Sequence, residues 1–257
     1  MKKIRVIIAF MDDKIKELKA MIDVASKIVF FGGAGVSTES GIPDFRSVDG
    51  LYNQKWSDPP ETILSASYFA AKPAEFYRFY REKLLVEGIQ PNRAHRKLAE
   101  LEKAGKLLGI VTQNIDGLHQ AAGNRKVWEL HGSVLRNYCT KCGKFFDGKY
   151  VKNNSDSMGI PRCDECGSII KPDVVLYEEP LNDAIVEGAI NALANADLLI
   201  IGGTSLTVYP AAGMIRYYRG SKIVLINRDP TASDGIADLV IHDSIGESLA
   251  SIEVKLQ

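Results

Sequence analysis

The sequence contains no apolar run near the roughly 20 residues that a membrane-spanning helix requires, so no spanning helix is expected. It has no excess of charge either. Lys plus Arg equal Asp plus Glu at 32 each, and no overall basic field draws the chain to nucleic acid or anionic lipid. Any charged partner must therefore be recognised locally. Cysteine is scarce: the four present fall in two pairs rather than a scattered framework. That pattern suits a reducing cytosol and a metal better than secretion and disulfides. The opening "MKKIRVIIAFMDD" has a basic start and a short apolar run but no small-residue cleavage site after it, so residues 1–11 read as an extra N-terminal strand or arm rather than a signal peptide. Met11 is an alternative start. What is there is 257 residues of ordinary globular composition, enough for one large domain or a core domain carrying a smaller insert.

Short β-branched apolar runs alternate with helical patterns. The runs are 27–31, 107–112, 127–130, 173–177, 197–203, 222–227 and 238–242. Runs apolar on both faces predict a parallel sheet covered by helices on each side, an α/β core. Ile15, Leu18, Met21, Ile22 and Ala25 recur at helical spacing before the first run, and "NRAHRKLAELEKAG" offers Leu98 and Leu101 before a closing Gly105. Two segments break the rhythm: 47–90, with an aromatic helical stretch, and 133–172, with the cysteines. Both read as insertions into a core made of 12–46, 91–132 and 173–257.

Five stretches carry chemistry. "GGAGVSTESGIPDFRS" follows the first strand, where bare backbone N–H groups can approach a phosphate and the next helix N-terminus adds its positive end. It supplies Gly33 and Gly35 but puts Thr38 where the third glycine of GxGxxG should stand; a tight turn with no ligand is the other reading. The acidic residue that binds ribose in a dehydrogenase should follow about 20 residues on, yet that interval looks like a loop, which disfavours ordinary hydride transfer. Asp44, Phe45 and Arg46 in that loop could close over a nucleotide, or form a solvated loop with one buried ring. "TQNIDGLH" places Gln113, Asn114 and Asp116 at the carboxyl end of a strand, where open α/β sheets bind ligands; Asn114 and Asp116 could equally cap the next helix. His131 in "WELHGS" is a candidate general base, a structural histidine, or, with Cys139 near, a metal ligand. His95, His119 and His242 stand in helical or edge contexts. "CTKC" and "CDEC", with 20 residues between them, can turn Cys139, Cys142, Cys163 and Cys166 onto one tetrahedral zinc. Four thiolates close the shell, so the metal is structural and His131 is released from ligand duty. "GGTSLTVYPAAG", with Gly202 and Gly203, and "INRD" end two further strands and could face the same cofactor.

Six motifs in this order, "GAGVSTESGIPDFRS", "TQNIDGLH", "ELHG", the CxxC pairs, "GTSLTVYP" and "IN", resemble those of the sirtuins, the NAD-dependent protein lysine deacylases, here of prokaryotic type. The resemblance runs from about residue 12 to about 252 and implies a Rossmann-like sheet with a small zinc-ribbon and helical module inserted, and NAD consumed as co-substrate. It implies that Gly33, Ala34 and Gly35 cradle the pyrophosphate, with Thr38 and Asp44 close by, and that Phe45 and Arg46 belong to a loop closing over the cofactor. Gln113 would hold ribose hydroxyls, Asn114 the ribose or a water, and Ile115 with Asp116 the nicotinamide amide. Gly202, Gly203, Thr204, Ser205, Asn227, Arg228 and Ile245 would surround the adenosine half. His131 would be the base, assisted by Asn114. An acyl-lysine peptide would add as a strand between "DVVLY" and "TVYP", with Val174, Val175, Leu176, Tyr177 and Val208 lining its site.

Departures bear on specificity. Many sirtuins have Phe-Gly-Glu after the substrate strand, whereas Tyr177, Glu178 and Glu179 stand here. Members preferring dicarboxylic acyl groups carry a Tyr and, three residues on, an Arg; Tyr77 and Tyr80 occupy the matching places, so acetyl or a longer neutral acyl is expected over succinyl. The expected partners are acetylated proteins or peptides, with no specific nucleic acid and no membrane, and the chain is read as a cytoplasmic monomer. Mono-ADP-ribosyl transfer from the same NAD site, and a non-enzymatic zinc module with a mildly basic face, are the alternatives.

Overall fold

The structure, a computed structural model, describes residues 2–45 and 50–254, with side chains from residue 12 onward. Two sheets organise it. Strands β1 (Ile28–Gly32), β2 (Leu107–Thr112), β3 (Val127–Glu129), β4 (Gly132–Cys139), β5 (Phe145–Asp147), β6 (Ile170–Val174), β7 (Leu198–Gly202), β8 (Lys222–Ile226) and β9 (Leu239–Ile241) divide between them. Among the described residues, six form a parallel sheet in the order β3-β2-β1-β7-β8-β9. β4, β5 and β6 form a separate antiparallel sheet in the order β5-β4-β6. The parallel order is the doubly wound one, and its direction reverses between β1 and β7.

Helices α1 (Lys2–Val24), α2 (Pro60–Ile63), α3 (Ala66–Ala71), α4 (Pro73–Lys83), α5 (Arg93–Lys103), α6 (Leu118–Ala121), α7 (Gly148–Asn153), α8 (Asp183–Asn195) and α9 (Ile245–Ala250) complete the fold. The strand pleat assigns their partners. Ile28 and Phe30 face one side with Leu18 and Ile22 of α1, Leu98 and Leu101 of α5, and Leu249 of α9. Val29 and Phe31 face the other with Ala189 and Leu193 of α8 and Met214 of a 3-10 turn. Period-2 alternation in strands thus meets period-3.6 stripes in helices. The helix ends are closed locally: Asn92 accepts from the N–H groups of Ala94 and His95 at the start of α5, and Lys106 Nζ donates to the carbonyls of Ile22, Asp23 and Ala25 at the end of α1.

Three sequence expectations are corrected. The opening segment, read as a strand or arm over 1–11, belongs to α1 from Lys2 onward, its backbone continuous with the helix that carries Ile15, Leu18 and Ile22. The run 173–177 is not a parallel core strand. Ile170–Val174 pairs antiparallel with β4, and Tyr177 makes an isolated bridge to Ser65; its two apolar faces meet the insertions and the ligand cleft, which leaves the same sequence signature as burial in a parallel sheet. The insertion 133–172 contains β4 and β5, which the sequence reading did not anticipate because Arg136, Asn137 and Lys144 interrupt its apolar pattern.

The two insertions share one core. Phe76, Tyr77, Phe79 and Tyr80 of α4 pack with Phe146, Val151, Ile160 and Ile170 of the cysteine-bearing segment. Arg136 on β4 pins this unit to the parallel sheet, its Nη1 and Nε each 2.7 Å from Glu129 on β3 and Asp173 on β6. Among the described residues no helix is long and apolar enough to cross a membrane.

Candidate active site

A cleft of about 720 Å³ opens at the carboxyl ends of β1, β2, β7 and β8 and runs under the insertions. That is the switch-point position and a volume suited to a dinucleotide with part of a second substrate. Gly33, Ala34, Gly35, Thr38, Asp44, Phe45, Gln113, Asn114, Ile115, Asp116, His131, Val174, Val175, Leu176, Tyr177, Gly203, Thr204, Ser205, Val208, Asn227, Arg228 and Ile245 all line it. Arg46 lies outside the described residues. Gly202 does not face the cleft: it ends β7 in the core, where a Cβ would collide with Ile245 Cδ1.

The glycines after β1 answer first to packing. Gly35 N–H donates to Gly203 O at 2.8 Å, and a Cβ on Gly35 would stand 2.8 Å from Gly203 Cα. A Cβ on Gly33 would stand 2.8 Å from Thr204 Cβ. The β1 and β7 loops therefore cross at backbone contact distance, which only missing side chains permit. The expected helix N-terminus is absent here: after the glycines come two three-residue 3-10 turns, Ala34–Val36 and Thr38–Ser40, and Gly41 and Pro43 stop any continuation. The Gly33 and Gly35 N–H groups are committed to Gly202 O and Gly203 O, so the loop offers the cleft a backbone surface free of side chains and not a long helix dipole.

Polar side chains tie the loops together. Gln113 Nε2 donates to Thr204 Oγ1 at 3.1 Å, and Asn227 exchanges two 3.0 Å hydrogen bonds with the Thr204 backbone. Deeper, Asn114 Nδ2 donates to Ser37 Oγ at 3.1 Å, and Ser37 donates to Asp116 Oδ2 at 2.6 Å. Asp116 Oδ1 also accepts from Leu118 N–H, so this carboxylate closes the first turn of α6 while lining the cleft. Ser37, buried at the centre of this chain, is not among the residues that the sequence motifs single out. Its neighbours Gly35 and Thr38 drew attention to the backbone, while nothing in a lone serine announces two long-range partners. Glu39 is a second omission; its Oε1 takes the Gly246 N–H at the start of α9.

His131 follows β3 and precedes the left-handed Gly132, so its ring turns back over the end of β2. Nδ1 is 3.0 Å from Gln113 O. A carbonyl only accepts, so Nδ1 carries the proton and Nε2 keeps a lone pair. Burial lowers the pKa of the ring, with the Gln113 bond opposing it, which favours a neutral base at pH 7. Phe45 stands edge-on to Tyr52, centroids 5.4 Å apart.

The far wall is a turn. Glu179 N–H donates to Leu176 O at 3.0 Å, and Glu178 has φ 78°. Position three of such a turn favours glycine, and the left-handed conformation costs other residues roughly 1–2 kcal/mol. Tyr77 and Tyr80 are not in this wall. Both are fully buried in the insertion core, and the Tyr77 hydroxyl donates to Ile170 O.

The four cysteines stand apart from the cleft. Their sulfurs lie within 4.8 Å of one another, with Cys139–Cys166 at 3.3 Å and Cys142–Cys163 at 3.6 Å. A tetrahedral zinc thiolate site has sulfur–sulfur edges of about 3.8 Å, and the Lys141 and Cys142 N–H groups point at Cys139 Sγ as in a knuckle. The donor set fits one structural zinc.

Residues 33–210 match the Sir2 family. An NAD-dependent protein deacetylase of Clostridium perfringens is 59% identical over 94% of this chain and 99% of its own length. One from Clostridium acetobutylicum is 57% identical over 93% and 98%. A solved Sir2–p53 peptide–NAD+ complex superposes with a TM-score of 0.81 at 38% identity, covering 91% of this chain and 95% of that one. A Sir2 variant holding deacetylated p53 peptide and 3'-O-acetyl ADP ribose gives 0.84 at 38%, with the same coverage. On the family match and these identities, the chain belongs to the Sir2 family.

Proposed function

We propose that this chain is an NAD-dependent protein lysine deacetylase that moves the acyl group from acyl-lysine to ADP-ribose and releases nicotinamide and O-acetyl-ADP-ribose. The observation that carries it is His131: a base with Nδ1 committed to Gln113 O, in a cleft shared by the glycine loops and the Val174–Leu176 wall. Gly33, Ala34 and Gly35 form the side-chain-free turn on which the pyrophosphate lies. Thr204, Ser205, Asn227, Arg228 and Ile245 enclose the adenosine half, and Gln113 and Asn114 hold the nicotinamide ribose. Ile115 and Asp116 hold the nicotinamide amide, and Phe45 covers the reacting sugar.

NAD is a substrate here. The acyl oxygen bonds to the ribose carbon as the bond to nicotinamide breaks and nicotinamide leaves with the electron pair. His131 Nε2 then takes the proton of a ribose hydroxyl, whose oxygen attacks the acyl carbon. Water completes the transfer, and the lysine amine departs. The cysteines hold the module that carries β4 and β6 and supply no open coordination position.

Acetyl or a longer neutral acyl fits this wall better than succinyl, because Ile115, Val134, Val174 and Leu176 line it with hydrocarbon. A solved relative, Sir2Tm bound to a propionylated peptide, shares 38% identity with a TM-score of 0.81, covering 92% of this chain and 95% of that one. The unpaired thiols fit a cytoplasmic site of action, and a monomer without nucleic-acid or membrane partners completes the reading.

Mass spectrometry of an acetyl-lysine peptide with and without NAD, alongside His131→Ala, tests it. NAD-dependent loss of acetyl with O-acetyl-ADP-ribose formed, abolished in the variant, supports the reading. NAD consumed with ADP-ribose on protein and the acetyl group intact overturns it in favour of ADP-ribosyl transfer.

A further inference from the structure

The turn that walls the cleft is fastened from both sides by consecutive carboxylates. Glu178 reaches to the small helical module, where Ser67 N–H donates to its Oε2 and Ser67 Oγ to its Oε1, each at 2.9 Å. Glu179 reaches the opposite way, its Oε2 accepting from Leu176 N–H at 2.8 Å and Lys171 Nζ at 3.0 Å. Backbone stitching continues the Glu178 side: Tyr177 N–H donates to Leu64 O and Ala66 N–H to Tyr177 O, both at 3.0 Å. Tyr52 and Tyr177 hydroxyls meet at 2.6 Å. A glutamate held at positive φ is an outlier that the surroundings must over-determine, and here the two Ser67 bonds do so.

We propose that Glu178 is a positioning residue for the acyl-lysine peptide: its clasp on Ser67 fixes the shape of the wall formed by residues 175–178, on which the peptide lies across the cleft from Val208. This rests on the deacetylase reading above. A pre-formed wall binds a peptide at no ordering cost, whereas a wall that must first be ordered loses affinity. Glycine, free at this φ, would leave the turn accessible to other conformations; glutamate selects one through its side chain. The clasp lies at the peptide edge and touches neither the glycine loops nor the His131 ring, so its effect falls on peptide binding.

The test compares Glu178→Gly, Glu178→Gln and Ser67→Ala with wild type in steady-state kinetics on an acetyl-lysine peptide, with thermal melting in parallel. Glu178→Gly removes the clasp and relieves the backbone together, whereas Glu178→Gln and Ser67→Ala weaken the clasp without placing glycine at this φ, so the set separates the two roles. The expected result is a peptide KM raised about ten-fold in Glu178→Gly, the loss of charge-assisted bonds, with kcat and the NAD KM unchanged and the melting temperature held. Glu178→Gln keeps one acceptor and falls between; Ser67→Ala raises KM by a smaller factor. A peptide KM within two-fold of wild type in Glu178→Gly, or a fall in kcat matched by a rise in the NAD KM, overturns the proposal. Calorimetric titration with the same peptide needs no turnover. If wild type binds the peptide tighter than Glu178→Gly yet transfers no acetyl, the clasp stands and the deacetylase reading fails; equal binding overturns the clasp.

Discussion

His131 Nδ1 lies 3.0 Å from the carbonyl oxygen of Gln113, the residue whose side chain also reaches Thr204. The base and a cofactor loop are thus anchored on one residue. Because burial lowers the imidazole pKa, the acid limb of kcat/KM should have its midpoint below 6.5, the ordinary histidine value. Activity then rises with pH and is level by neutrality. A pH–rate profile with the midpoint at or above 6.5 would contradict this. Replacing His131 by Ala should lower kcat by about 10²–10⁴-fold, the worth of a positioned base.

His95 and His119 make a different pH prediction. Their rings are buried with centroids 4.7 Å apart, and His95 Nε2 and both His119 nitrogens have no hydrogen-bond partner among the described residues. Burial pushes His95 down to about 4 and His119 well below its usual value. Between pH 6.5 and 4 the unfolded chain therefore binds more protons than the folded one, so stability falls as pH falls through that window. Urea midpoints measured from pH 7 to pH 4.5 should fall, and the slope should shrink in His119→Leu; an unchanged slope in that variant would argue against the assignment.

The four-thiol site predicts one zinc per chain by elemental analysis. Stripping it should loosen β4 and β6, whose buried Cys139 and Ile170 belong to the insertion core. Near-UV circular dichroism from the tyrosines and phenylalanines of that core should drop along with turnover. The parallel sheet should keep its far-UV signal.

Gly35→Ala should weaken NAD binding and destabilise the chain together. The new Cβ would lie 2.8 Å from Gly203 Cα and 2.9 Å from Gly203 O, backbone that cannot rotate away. Overpacking of this kind costs about 1–3 kcal/mol. A variant that melts like wild type while binding NAD ten-fold more weakly would show the glycine serving the phosphate alone.

Motif and strand were legible where local chemistry is decisive. The CxxC pairs need only ligand type and spacing, and β1, β2, β7 and β8 announce themselves because both faces are buried. His131 could be named but not its tautomer, since the partner is a backbone carbonyl 18 positions away. Ser37 was illegible because its role is made by Asn114 and Asp116, distant in sequence. Residues 173–177 misled for a physical reason: a strand between two protein surfaces and a ligand site is as apolar as one in a parallel sheet. Tyr77 and Tyr80 were matched to acyl-selecting positions by resemblance alone; their burial in the insertion core is made by partners distant in sequence, such as Ile170.

That core has a bearing on engineering. Because α4 and the thiol-bearing strands fill it jointly, neither insertion is a cassette. Transplanting only the helical piece from a relative with another acyl preference would exchange half of a jigsaw and open voids beside Ile160 and Ile170. Recombinants should cross over at the parallel sheet and carry both insertions together.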